Sequence, residues 1–108
     1  MCAFLASACT CTSEANFSFV VTLVDADTNA EICDATVVAS QDGTDTTLSL
    51  INVFSGSCSY SGIEEQEGVF DIVATHPDYE DATFSVDVGG DICHVETEFV
   101  EVSLTPAP

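Results

Sequence analysis

Apolar residues recur at every second position along most of the chain. In 17–24, Phe17, Phe19, Val21 and Leu23 share one face. A period of two is that of a β-strand with one buried side. The same alternation predicts strands over 35–39 (Ala35, Val37, Ala39), 69–75 (Phe70, Ile72, Ala74) and 82–88 (Ala82, Phe84, Val86, Val88). The stretch 46–54 is apolar enough for a strand, with Leu48 and Leu50 on one side. Residues 55–62, rich in Gly and Ser, read as a short edge strand or an ordered loop. In 92–104 the pattern changes phase. Cys93, Val95 and Phe99 lie on one parity, whereas Val100, Val102 and Leu104 lie on the other. A β-bulge near Phe99-Val100 would reconcile them, because one extra residue swaps the two faces.

Turn-forming clusters separate these runs at 25–30, 41–45, 64–68, 76–79 and 89–91. No segment keeps a helical period over ten residues. About seven strands, with turn signals roughly every 8–12 residues, predict an all-β two-sheet sandwich.

Composition narrows what such a sandwich could do. The chain has 108 residues, room for one domain. It contains no Lys or Arg against 19 Asp and Glu, a formal net charge of -19, yet 46% of it is hydrophobic. A disordered acidic tail would lack that apolar content. Nucleic acid and anionic lipid are excluded as partners of a basic patch, since no basic side chain exists. Chemistry that needs a Lys amine or an Arg clamp is excluded with them.

Six cysteines in a chain this short, none in zinc-ribbon spacing, imply an oxidising compartment and disulfides. Cys33, Cys58 and Cys93 are expected to be oxidised, with Cys2, Cys9 or Cys11 supplying the fourth partner. Four cysteines allow three pairings, and spacing does not choose among them. Our preferred pairing joins Cys33 to Cys93 and Cys58 to Cys9 or Cys11. Residues 1–15 form a separate N-terminal arm, ahead of a sandwich over 16–108. Residues 1–12 are small and apolar but too short to span a bilayer. Leu5-Ala6-Ser7-Ala8-Cys9 is similar to a bacterial lipobox, with Cys9 as the lipidated residue. Ala6 stands where Leu is usual, and the basic start of a signal is missing. The arm is therefore either the remnant of such a signal or a source of ordinary disulfide partners.

Three motifs in order resemble the carboxypeptidase regulatory-like domain. They are D-A-D-T-x-A-x-I at 25–32 with the following A-T-V, G-x-F-x-I-x-A at 68–74 joined to H-P-x-Y-E at 76–80, and V-x-V-x-L-T-P at 100–106. In order, they span 17–106, nearly the whole domain. Asn29 and Asp78 stand where the family commonly has Gly, and both tolerate a turn with positive φ. The resemblance implies an immunoglobulin-like or prealbumin-like sandwich of bacterial secreted proteins and lipoproteins. It implies an accessory module without peptidase residues.

Candidate chemistry is sparse. Asp25, Asp27 and Asn29 have the rhythm of a calcium loop, but Ala30 and Thr36 occupy the positions where an EF-hand needs Gly and Glu. An ordinary turn is the favoured reading, with a calcium contact as the other. No other cofactor is implied. His76 reads as a solvated turn residue. The Cys93-His94 pair would suggest a thiol nucleophile only if Cys93 were reduced. No G-x-S-x-G elbow, H-E-x-x-H or P-loop is present, and no enzymatic activity is expected. The expectation is a non-catalytic structural or display module, extracellular or on the outer cell surface. In one version it assembles head-to-tail with copies of itself into a filament through the arm. In the other it is a monomeric, lipid-anchored domain that binds a small ligand, a cation or a neighbouring protein, touching the membrane only through that anchor.

Overall fold

β-branched and aromatic residues at alternate positions fit a pleated, half-buried surface, and the chain forms strands where the sequence alternates. The computed structural model describes residues 15–51, 58–91 and 93–108. These form eight strands: β1 (Phe19–Asp25), β2 (Thr36–Gln41), β3 (Thr44–Thr47), β4 (Ser49–Ile51), β5 (Ser59–Ser61), β6 (Gly68–His76), β7 (Tyr79–Val88) and β8 (Glu98–Leu104). Two four-stranded sheets result, ordered β4-β5-β1-β8 and β3-β2-β6-β7. The second sheet is antiparallel throughout. In the first, β1 runs antiparallel to β5 and parallel to β8. The protein is an all-β two-sheet sandwich.

The inward faces are those the alternation marks. Phe19, Val21 and Leu23 of β1 meet Phe70, Ile72 and Ala74 of β6, all nearly inaccessible. Phe19 and Phe70 stitch the sheets together, with ring centroids 5.0 Å apart and planes tilted by 56°. A tilted aromatic pair of this kind adds to the area it buries. Ile32, Leu48, Ile63 and Val95 close the core from the connections.

The run at 46–54 departs from expectation. It is not one strand: β3 pairs with β2 and β4 with β5, so the chain changes sheets at Leu48. Strands that switch sheets make the corners of a sandwich. Leu48 fills the core at the crossing, while Leu50 is 50% exposed. The crossing separates two leucines that a single strand would have kept together. The remainder of that run, like the arm with Cys2, Cys9 and Cys11, lies outside the described residues.

The bulge expected near Phe99-Val100 is absent. β1 and β8 stay in register from Phe19↔Glu98 to Asp25↔Leu104. The phase change arises because the strand starts at Glu98. Val95 is buried from the preceding loop, through an isolated bridge to Gly90. The register shift occurs between β6 and β7, at Ala74/His76. Phe99 consequently points outward beside Val20 and is 64% exposed. Asn29 adopts φ 64°, as its place in the turn requires, whereas Asp78 is not among the residues with positive φ.

The disulfide joins Cys33 to Cys58, with Cα atoms 5.3 Å apart. This corrects the preferred pairing of Cys33 with Cys93. Because β1 and β8 are parallel, a residue just before β8 lies beside the start of β1, and the β1–β2 connection lies at its far end. Seven residues of strand put roughly 23 Å between the two, several times the reach of a disulfide. β5 runs back along β1 from Tyr60↔Val21, which brings Cys58 to the end where Cys33 sits. Cys93 is itself disulfide-bonded, to a partner outside the described residues. All three of these cysteines are thus oxidised, the usual state in an oxidising compartment.

Candidate functional site

Polar side chains gather at the two ends of the sandwich, and the apolar exposure lies on its faces. At the first end, β1 finishes in Asp25. Its Oδ1 accepts the amides of Asp27 (2.7 Å) and Thr28 (3.0 Å), closing the turn. Its Oδ2 accepts the hydroxyl of Tyr79 at 2.7 Å. The Tyr79 hydroxyl, followed by the two turn amides, holds the Asp25 carboxyl below the usual range. The same bond, with burial and nearby carboxylates adding to it, pushes Tyr79 up to about 12. Asp27 and Asn29 are exposed in this turn. Among the described residues, no group of three or more His, Cys, Asp or Glu side chains is placed to hold a metal ion.

His76 belongs to this end and is not a solvated turn residue. Its side chain is only 7% exposed. The Asp78 amide donates to Nδ1 at 3.0 Å, which leaves the proton on Nε2, 2.8 Å from Asp34 Oδ1. The ring stands edge-on to Tyr79, with centroids 5.1 Å apart. Beyond Tyr79, Glu80 and Ala107 exchange backbone hydrogen bonds with Thr105 and Asp78, tying the C-terminal segment to β7.

Tyr60 is the residue of this end that alternation does not find, for it lies in the Gly/Ser-rich stretch. Its hydroxyl donates to the Ile32 carbonyl at 2.7 Å and accepts the Ala35 amide at 3.1 Å. Glu31 accepts the Cys58 amide at 2.6 Å. With the disulfide, three cross-links fasten the β1–β2 connection to β5.

At the opposite end Glu65, with φ 53°, occupies the acidic loop before β6. Oε2 accepts the Asn16 amide (2.8 Å) and lies 2.6 Å from His94 Nδ1, while Oε1 accepts the Val95 amide at 2.8 Å. The Asn16 amide above all, then His94 and the Val95 amide, lowers the Glu65 carboxyl. One carboxylate thereby ties the entry to β1 to the loop before β8. Asp91 is lowered by the amides of His94 and Cys93, which it caps at 2.9 and 2.8 Å. Disulfide-bonded Cys93 presents no thiol beside His94. Nothing in the sequence singles out Glu65 among its acidic neighbours, because its role depends on contacts 29 to 49 residues away.

The outward face of the β4-β5-β1-β8 sheet carries a concavity of about 470 Å³, lined by Asn16, Phe17, Val20, Ile51, Thr97 and Phe99. None of these side chains is charged. The outward face of the other sheet bears Asp45, Asp71, Asp81 and Asp87 among Thr, Ser and Val. No family model matches the chain, and no curated protein matches it.

Proposed function

We propose that the chain is a non-catalytic structural module of the bacterial outer surface, built on a carboxypeptidase regulatory-like sandwich and assembling head-to-tail through its N-terminal arm. The reading is supported by the use to which the polar residues are put. Asp25, Glu65 and Asp91, the carboxylates whose acidity is raised, each accept backbone amides that hold a loop in place. They act as braces, and so do Tyr60 and Tyr79. A domain braced at both ends and oxidised at its cysteines suits an exposed, extracellular setting, where small domains commonly rely on disulfides.

Sedimentation velocity of the full chain at increasing concentration, with and without calcium, tests this reading. Species growing in steps of one chain are expected. A monomer under every condition would leave the lipid-anchored module in its place, and mass spectrometry of Cys9 would then find its diacylglyceryl group.

A further inference from the structure

We propose that the cleft between the sheets at the β2–β3 hairpin is a binding site for a small uncharged polyhydroxylated molecule, a polyol or a single sugar ring. The site is built without the N-terminal arm and goes beyond the assembly reading.

The inward faces of β2 and β3 change character along their length. Val37 and Ala39 are closed off in the core, at 0% and 1% exposure, but the next inward position of β2 is Gln41. β3 pairs Thr46 with Ala39 and Thr44 with Gln41. Residues paired across adjacent strands share a face, so both threonines point inward as well. Three polar side chains thus stand where a sandwich interior calls for apolar ones. Beside them lies a cavity of about 190 Å³. Ala39, Ile63 and Phe70 form its apolar side, and Gln66, from the loop before β6, adds to its polar side.

The fold holds these groups in place. Gln41 Nε2 donates to the Glu67 carbonyl at 2.9 Å. Gly68, at φ 111°, makes room for that amide, since a Cβ there would sit 2.6 Å from Nε2. The buried Ser18 hydroxyl donates to the Gln66 carbonyl (2.8 Å) and accepts the Gln66 amide (2.9 Å). The backbone of Gln66 is therefore fixed on both sides while its side chain stays exposed. Among the described residues, no hydrogen bond takes up the side chains of Gln66, Thr44 or Thr46. Fixed donors and acceptors with spare capacity are what a ligand site requires.

The lining selects the ligand. Asp42 is the one carboxylate among the described residues that border the cavity. Divalent cations take several oxygen ligands, and no group of three or more acidic, His or Cys side chains is placed to hold one among the described residues. Anions are repelled by a chain with 19 carboxylates and no Lys or Arg. An apolar guest would strip water from two amides and two hydroxyls without replacing its hydrogen bonds. A neutral molecule whose groups both donate and accept meets the lining, because carboxamides and hydroxyls do the same. The hydroxyls of a polyol fit the polar side, and its C–H groups fit the apolar side. The cavity has the space of roughly six waters at about 30 Å³ each, enough for one ring.

Titration of the isotopically labelled full chain, read in its amide spectrum, tests the site. The probes are myo-inositol and methyl α-glucopyranoside, each to roughly 50 mM, a range that saturates a site of about millimolar affinity. Saturable shifts are expected at Thr44, Thr46 and Gln66, and the probe that binds more tightly separates a polyol from a sugar ring. Thr46→Val keeps the side-chain shape and removes the hydroxyl, and Gln66→Ala alters an exposed position. Each should weaken binding by at least about fivefold, while Val69→Asp, on the outward face of β6, should leave it unchanged. Silence from both probes, or binding undiminished in both variants, overturns the site. Neither result touches assembly through the arm, which depends on other residues.

Discussion

Tyr79 donates its hydroxyl hydrogen to Asp25 at 2.7 Å, joining the first turn of the sandwich to the start of β7 across 54 residues of sequence. The bond exists only while Tyr79 keeps its proton. Folding raises the Tyr79 pKa from 10.0 to about 12, so the folded state holds the proton more tightly than the unfolded chain. Its stabilising contribution is complete below pH 10 and disappears as pH rises towards 12. Melting temperatures of the wild type and Tyr79→Phe should differ by a constant amount below pH 10 and converge by about pH 12. A difference that persists unchanged at the higher pH would contradict the assignment.

Glu65 works in the opposite sense. Its carboxyl is held below the ordinary value of 4.5, so the unfolded state binds the proton more readily. Stability from Glu65 is present above pH 4.5 and is lost as pH falls below it. Glu65→Gln should therefore destabilise the domain at neutral pH and matter progressively less in acid. Amide exchange at Asn16 and Val95 should speed up in the variant, because those amides lose their acceptor. Unchanged exchange at both sites would sink the bracing role.

The Cys33–Cys58 bridge closes a loop with a sequence separation of 25. Loops of this length are stabilised by about 2–4 kcal/mol when cross-linked, chiefly through the unfolded chain. Urea titration of the Cys33→Ser/Cys58→Ser double variant should show a loss of that size. Tyr60 and Glu31 still hold the same connection, so the variant should remain folded.

Strand identity was legible in the sequence because alternation reports burial, as Phe70, Ile72 and Ala74 or Val86 and Val88 illustrate. What alternation does not carry is which sheet a strand joins. Leu48 and Leu50 look equivalent in a linear pattern and are separated only by the crossing between sheets. The pairing of Cys33 was beyond reach for a related reason: it follows from β1 and β8 being parallel, and strand direction leaves no periodic trace. At the ends, turn residues such as Asn29 announce themselves by type. Glu65 and Tyr60 do not, since their partners are brought to them by the fold.

Nineteen carboxylates without a cation repel one another in the folded state more than in the expanded chain. Salt screens that repulsion, with a Debye length falling from roughly 30 Å at 0.01 M to about 8 Å at 0.15 M. The melting temperature should rise over this range, and more steeply per unit of ionic strength with calcium than with sodium. A melting temperature independent of salt would show that the charges are too far apart to matter.

Electron microscopy of the full chain at high protein concentration in calcium-containing buffer tests the central claim most directly. The account predicts unbranched fibres with one sandwich per axial repeat, absent when residues 1–12 are deleted. Uniform single particles the size of one domain, at every concentration and with calcium present, would contradict it.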